Sequence, residues 1–441
     1  MKFTTNLLLA LFLLALAGFV YFYEIKGGEK RQKSAEAAKK FLTLEADSVT
    51  AFSLQPAGIE FKKEAGKWQI VQPIKYPADE STVNALLDRF ESAKREREIT
   101  QDANTFVTYG LAPAHRQIVI THQGKRDTVY FGDKNTTESY VYARVNGKPE
   151  VVLTEIALLN NSDKSLEEWR DKSLLKFESD QAKRLSFKLP GGRFEMRKEA
   201  GKWKLVYPLE AEADETRIAQ ILSRMSYSTV TQFVAENLDD PKKYGLDKPG
   251  YEFRLVLSDN AAQKIIRFGK KTEQGYYAHD PARPQVFLVD SSLVKDLNVK
   301  LMDLRDKRLA SFESSRADYV RLQYPDLTIV CEKDTAGQWQ VTSPQNKKAK
   351  NWQVSNITST LAGLQAAAFA YEQAGNLAVY GLDNPRARII VKEKGAELAQ
   401  VLLGNVKEDH VFAKAAGKAT IMLLKKEEAD RVLVKLSELI E

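Results

Sequence analysis

Gly66-Lys67-Trp68-Gln69-Ile70-Val71-Gln72-Pro73 decides how this chain is built, because its frame occurs three times. Gly-x-Trp-x-aliphatic-x-x-Pro returns as Gly201, Trp203, Leu205 and Pro208, and again as Gly337, Trp339, Val341 and Pro344. The tryptophans stand 135 and 136 residues apart, and Tyr109-Gly110-Leu111, Tyr244-Gly245-Leu246 and Tyr380-Gly381-Leu382 keep the same step. Phe131-Gly132, Phe268-Gly269 and Leu403-Gly404 follow, then Val141-Tyr142-Ala143, Tyr276-Tyr277-Ala278 and Val411-Phe412-Ala413. Four markers in one order, three times, define a tandem repeat. Solenoid units run about 20–50 residues, so this period is too long for one. Each copy is the size of a small domain with its own core.

Within a copy, period-two apolarity predicts strands: Val49–Leu54, Ile59–Lys63 and Trp68–Val71 around a Gly66 turn, with Pro73 as a strand stop. Val83, Leu86, Leu87 and Phe90 fall at i, i+3, i+4 and i+7, which predicts a helix. Ile218, Ile221, Leu222 and Met225 match it in copy two, and Val354, Ile357, Leu361 and Leu364 in copy three. Asp79 and Asp214 stand where a carboxylate caps free amides. After Tyr-Gly-Leu come four further strands and a short helix near Glu155–Asn160; copy three is expected to end on a longer helix, roughly Lys425–Leu439. This order predicts α+β domains with mainly antiparallel sheets and inserted helices.

Ahead of the repeats, Leu7 to Tyr23 is a run of 17 uncharged, mostly apolar residues. As a helix it would span about 26 Å, enough for a thin hydrocarbon core. The competing reading is a cleaved signal peptide ending at Ala15-Leu16-Ala17, but the apolar run continues six residues beyond Ala17. The expected plan is therefore a tail (1–6), a transmembrane helix (7–23), a basic tether (24–40) and repeats at 41–176, 177–311 and 312–441.

Of the net charge of +7, the tether supplies +3 and Lys2 one more. The remaining +3 over residues 41–441 is a mixed, solvated surface, not a phosphate-binding face, so nucleic acid is not expected as a partner. The tether suits anionic lipid headgroups. Lysine and arginine counts flanking the helix leave its orientation ambiguous.

With its anchor, Trp-x-aliphatic-x-x-Pro, Tyr-Gly-Leu, Phe-Gly turn and Arg-Asp-Lys junctions, the chain after residue 40 resembles the bacterial family called domain of unknown function 4340. That resemblance implies an envelope protein, often encoded beside ABC-transporter components and a gliding-motility-type auxiliary protein. It also implies an inner-membrane anchor with the repeats on the periplasmic side. It brings no known reaction and no catalytic residues.

The residues suggest none either. No catalytic, cofactor or metal residue is assigned. His115, His122, His279 and His410 do not recur between copies, and surface or hairpin roles are expected for them. Cys331 reads as a small buried strand residue. Nucleophile-elbow, zinc-protease, phosphate-loop and dithiol motifs are absent. Trp68, Trp203 and Trp339 could form aromatic platforms for a glycan; a core tryptophan beside a hairpin, with Pro73, Pro208 and Pro344 as strand stops, is the expected role. Gly110, Gly245 and Gly381 are expected to turn with positive φ. Arg170-Asp171 and Arg305-Asp306 mark the junctions, read as simple interdomain salt links, with fixing the angle between repeats as the alternative. The expected function is a non-catalytic scaffold or accessory subunit of a membrane complex, plausibly an ABC transporter, contacting lipid and other envelope proteins. The alternative is an extracytoplasmic glycan- or peptide-binding module.

Overall fold

The computed structural model describes Leu16, Tyr21, Glu36 and residues 39–441 except 259–262 and 374. The expected tail, all but Leu16 and Tyr21 of the expected transmembrane helix, and most of the tether lie outside the described residues, within which no helix is long and apolar enough to cross a membrane.

In the first repeat the strands are β1 (Val49–Gln55), β2 (Ile59–Glu64), β3 (Lys67–Gln72), β4 (Tyr76–Pro77), β5 (Arg97–Thr100), β6 (Arg116–His122), β7 (Lys125–Lys134), β8 (Tyr140–Val145) and β9 (Val151–Glu155). They form one antiparallel sheet in the order β4-β3-β2-β1-β6-β7-β8-β9-β5, and the same nine-stranded order occurs twice more. Three helices join the sheet: α1 (Glu80–Ser92), α2 (Ile156–Ser162) and α3 (Leu166–Trp169). By packing, the chain divides into two units, Met1–Leu174 with Thr229–Ala235, and Leu175–Ser228 with Glu236–Glu441. The second unit contains the complete third sheet, whose core runs from Leu309 to Leu439.

Alternation decides which face is buried. In β2, Ile59 and Phe61 turn inward while Glu60 and Lys62 are exposed. The inward residues meet Val83, Leu86, Leu87 and Phe90 of α1, all buried. Phe52 stacks on Phe61 at 4.2 Å and meets Trp68 edge-on at 5.3 Å; Phe61 meets Trp169 at 5.1 Å. Trp68, Trp203 and Trp339 are 1%, 4% and 2% exposed, so they are core residues and not platforms. Before each proline the register slips by one residue: Glu60 pairs with Gln72 but Phe61 with Ile70, and the same bulge recurs at Glu195/Met196 and Val330/Cys331. Pro73, Pro208 and Pro344 then follow through cis peptide bonds, each directly after its strand ends.

The start of each long helix is tied to its tryptophan. Asp79 and Asp214 accept from the amides of Thr82 (2.7 Å) and Arg217 (2.9 Å). The next residue turns back: Glu80 Oε1 accepts from the Trp68 amide (2.7 Å), Glu215 Oε1 from Trp203 (2.5 Å) and Asn351 Oδ1 from Trp339 (2.7 Å). In copy three Lys350 occupies the cap and offers no side-chain bond, so Asn351 alone keeps the tie.

The expected long C-terminal helix is a correction. Lys426–Asp430 and Leu436–Leu439 are two short helices, matching α2 and α3. Ala429, Val432, Leu436 and Leu439 have helical spacing, but Val432 and Val434 are buried on the link between the two.

Truncating a buried tryptophan removes many contacts and leaves a cavity. Trp203→Ala and Trp339→Ala should each cost about 3–5 kcal/mol, read by denaturant unfolding. A variant that unfolds like wild type yet loses a binding partner would return the tryptophans to a surface role.

Candidate functional site

Three of the four markers meet at one place in each repeat. Gly110, Gly245 and Gly381 end a helical turn at φ 67°, 69° and 65°, where only glycine is unstrained. The amide after each returns to the turn, Leu111 to the Phe106 carbonyl at 2.8 Å and Leu246 to that of Pro241 at 2.8 Å. The turn lies so close to the next strand that a Cβ on Gly132, Gly269 or Gly404 would sit 2.0, 2.1 or 2.2 Å from the tyrosine carbonyl oxygen. The tyrosine rings then rest on the last marker, Tyr109 on Tyr142 at 4.7 Å, Tyr244 on Tyr277 at 5.0 Å and Tyr380 on Phe412 at 5.1 Å. This cluster holds strands together, and in the first repeat the His115–Asp133 pair stands against Gly110.

At the junctions, Arg305 makes a salt link to the next repeat, as read from the sequence, but both arginines are buried and face aromatic rings. Arg170 and Arg305 are 3% and 4% exposed. Each sits on an antiparallel bridge that closes its own repeat, Arg170 opposite Ala78 and Arg305 opposite Ala213. Burying a guanidinium demands partners, and aromatic faces supply them. Arg170 lies 3.6 Å from the Phe233 ring centroid and 4.3 Å from that of Tyr76. Arg305 lies 3.5 Å from the Phe369 centroid and donates Nη1 and Nη2 to the Glu372 carboxylate at 2.6 and 2.7 Å. Phe369 and Glu372 belong to the third repeat, so Arg305 reaches from the end of one repeat into the next.

The aspartates turn inward on their own loops. Asp171 accepts from the Ser173 amide at 3.0 Å, and Asp306 from the amide and guanidinium of Arg308 at 3.0 and 2.9 Å. Burial pushes the Asp306 carboxyl up, but the bonds from Arg308 outweigh it and hold the group below its ordinary value. Lys418 donates Nζ to the Arg308 carbonyl at 2.7 Å; burial lowers its affinity for the proton, and Asp306 and Glu212 oppose that. The second and third repeats therefore share a partly buried charge network around Asp306.

The histidines are more varied than expected. His115 is exposed beside Asp133 (2.8 Å), and His410 contacts Asp409 (2.6 Å). His122 and His279 are buried, His122 on Asp127 (2.7 Å) across the β6–β7 hairpin and His279 on the Gln285 carbonyl (3.0 Å). Burial pushes the Cys331 thiol up to about 12, so it stays protonated and unreactive near neutral pH. Among the described residues no group of three or more His, Cys, Asp or Glu is placed to hold a metal. Sequence reasoning missed Tyr76, Phe233, Phe369 and Glu372. A signal existed: Phe233-Val-Ala-Glu236 and Phe369-Ala-Tyr-Glu372 recur in step, whereas the first copy has Glu98-Ile-Thr-Gln101.

The chain belongs to the family described as domain of unknown function (DUF4340), whose model matches residues 68–249, 203–339 and 339–441. No curated protein matches it. Among solved structures, it is similar to a DNA polymerase sliding clamp from Pseudomonas aeruginosa with ligand, at 7% identity and a TM-score of 0.16. That likeness covers 88% of this chain and 94% of the clamp, and at such a score it carries no argument about fold or function.

Two outcomes test the junction. Arg305→Ala should destabilise the second unit by about 1–3 kcal/mol, since the stack and the fork both go, while Arg305→Lys restores the charge and only part of the stability. Asp306 has its folded pKa depressed, so its contribution is present above the ordinary value of 3.8 and lost as pH falls below it. Unfolding curves from about pH 6 down to about pH 3 should show a steeper loss for wild type than for Asp306→Asn.

Proposed function

We propose that this family member is a membrane-anchored, non-catalytic scaffold or accessory subunit of a membrane complex, with an ABC transporter as the partner. Residues 7–23 act as the anchor in the inner membrane, and the repeats stand on the periplasmic side. The observation that supports a scaffold most directly is the Arg305 clamp. A buried guanidinium held by Glu372 at 2.6 and 2.7 Å and by the Phe369 ring at 3.5 Å fixes one sheet against the next. Backbone pairing backs the clamp, since Ala213 bridges Arg305 and Arg308 bridges Gln365 within four residues of chain. A junction built this way transmits position and resists bending, which suits a spacer or docking platform. Residues that recur between copies serve these cores and junctions, leaving the variable sheet faces to choose partners.

Full-length protein solubilised in mild detergent and lightly cross-linked should recover transporter subunits in stoichiometric amount, and Arg305→Ala should reduce that recovery while the protein stays in the membrane. Its N-terminus should precede residue 7. Recovery of the protein alone in good yield, or a mature N-terminus at Gly18, would overturn the reading.

A further inference from the structure

The outward face of the second sheet sets cations directly across from one another, which the same strands of its siblings do not. In the strands equivalent to β1, β2 and β6 (Arg184–Leu189, Gly192–Glu199 and Tyr251–Val256), the inward residues Phe187, Met196 and Phe253 are buried. Pointing the other way are Arg184, Lys188, Arg193, Arg197 and Arg254. Arg184 pairs directly across from Arg197, and Lys188 from Arg193. Like charges directly opposite on a sheet destabilise it.

The siblings show that the fold does not require this. The Arg184–Arg197 pair corresponds to Ala51–Lys62 in the first repeat and Tyr319–Glu332 in the third. Lys188–Arg193 corresponds to Gln323–Thr328 in the third. Arg254, opposite Ser186, stands where the siblings have Val119 and Ile390. The third copy carries cations of its own on that face (Arg321, Arg388 and Lys392, beside Glu332), so what is particular to the second is that cations stand directly across from one another.

That face is also concave. Arg184, Arg193, Arg197 and Arg254 line a cleft of about 310 Å³ with Glu195 as its carboxylate. Arg193 also lines a groove of about 620 Å³ that continues past the Gly191-Gly192 turn to Tyr207, Tyr251 and the exposed Lys300. Both volumes lie in the range of about 300–1,000 Å³ typical of small-ligand sites. Tyr207 is 49% exposed, a half-open ring at the edge of a basic cleft. Glu195 and Glu199 bond Arg193 and Arg197, and Glu252 takes Arg254 at 2.8 Å and Arg267 at 2.9 Å. The guanidinium planes are therefore oriented while the lining keeps a cationic excess.

We propose that this face binds an acidic saccharide, a sugar chain bearing carboxylate or phosphate groups. Guanidinium forks match planar or tetrahedral oxyanions and exchange their glutamate partners for them. Tyr207 supplies the flat apolar surface on which a sugar ring rests. A ligand held by charge alone would have no use for that ring. An acidic peptide adding as a strand would need a sheet edge, whereas this site is on a sheet face. The inference is independent of the scaffold reading, and either can fail without the other.

The test uses full-length protein in detergent and sibling residues as substitutions, so that the backbone is already known to carry them. Lys188→Gln/Arg254→Val and, separately, Tyr207→Ser should melt at or above the wild-type temperature. Each should weaken binding of an oligogalacturonate or a phosphomannan oligosaccharide by about tenfold. Maltohexaose, the neutral control, should not bind. Equal binding of polyglutamate, oligothymidylate or inorganic phosphate with no effect of Tyr207→Ser would overturn the proposal in favour of a charge-only surface. Failure of both acidic saccharides to bind wild type would overturn it outright.

Discussion

The amides just ahead of each long helix are the constraint on which the rest depends. A helix start leaves backbone donors without partners inside the helix, and here the strand hairpin and the end of the repeat take up those nearby. The Ala78 amide bonds the Trp68 carbonyl at 3.0 Å, and the Asp79 amide bonds that of Trp169 at 2.8 Å. The same two bonds recur from Ala213 and Asp214 (3.1 and 2.9 Å) and from Ala349 and Lys350 (3.0 and 2.7 Å). One short segment therefore joins the tryptophan strand, the long helix and the last residues of the repeat. The fold of each copy closes there.

Closure at that point dictates what comes next. Once Trp169 and Leu304 have given their carbonyls to the helix start, the following residue lies on a buried bridge. In the third repeat Ile440 holds that backbone position opposite Ala349, so the bridge itself needs no guanidinium. Arginine at 170 and 305 answers a different demand, because its plane covers a phenylalanine ring at 3.6 or 3.5 Å. Lysine would place a compact, strongly hydrated ammonium there and leave the ring face unmatched. The side chain couples repeats, and the backbone beneath it closes them.

Much of this was legible in the sequence for one reason: residues demanded by the backbone recur at a fixed period. Trp68, Pro73, Gly110 and Gly132 announce themselves because a core tryptophan, a strand stop, a left-handed turn and a close approach allow few substitutes. The burial of Arg170 and Arg305 was not legible, because a charged residue before Asp-Lys reads as solvated until its ring partners, 63 and 64 residues later, are placed against it. The C-terminal helix was misread for a related reason. Ala429, Val432, Leu436 and Leu439 have helical spacing, yet two short helices joined by a buried link satisfy the same spacing. The buried pairings of His122 and His279 left no periodic trace, since neither residue recurs.

Repetition also separates fold from function in a way a single domain cannot. A residue present in all three copies is explained by the backbone they share, and the tryptophans, the turn glycines and the helix-start ties all fall in that class. A residue present in one copy, at a position whose siblings are neutral or apolar, needs another explanation. Chance substitution accounts for isolated cases. It accounts less well for Arg184, Lys188, Arg193 and Arg254, which lie on three adjacent strands of one sheet and face the same side as Arg197, where the siblings have Lys62 and Glu332. Two of their cross-strand pairs oppose like charges, which costs stability. The third copy makes the same two pairings without like charges, as Tyr319–Glu332 and Gln323–Thr328. The four arginines of that set line one cleft, and that geometry is what the proposed saccharide site rests on.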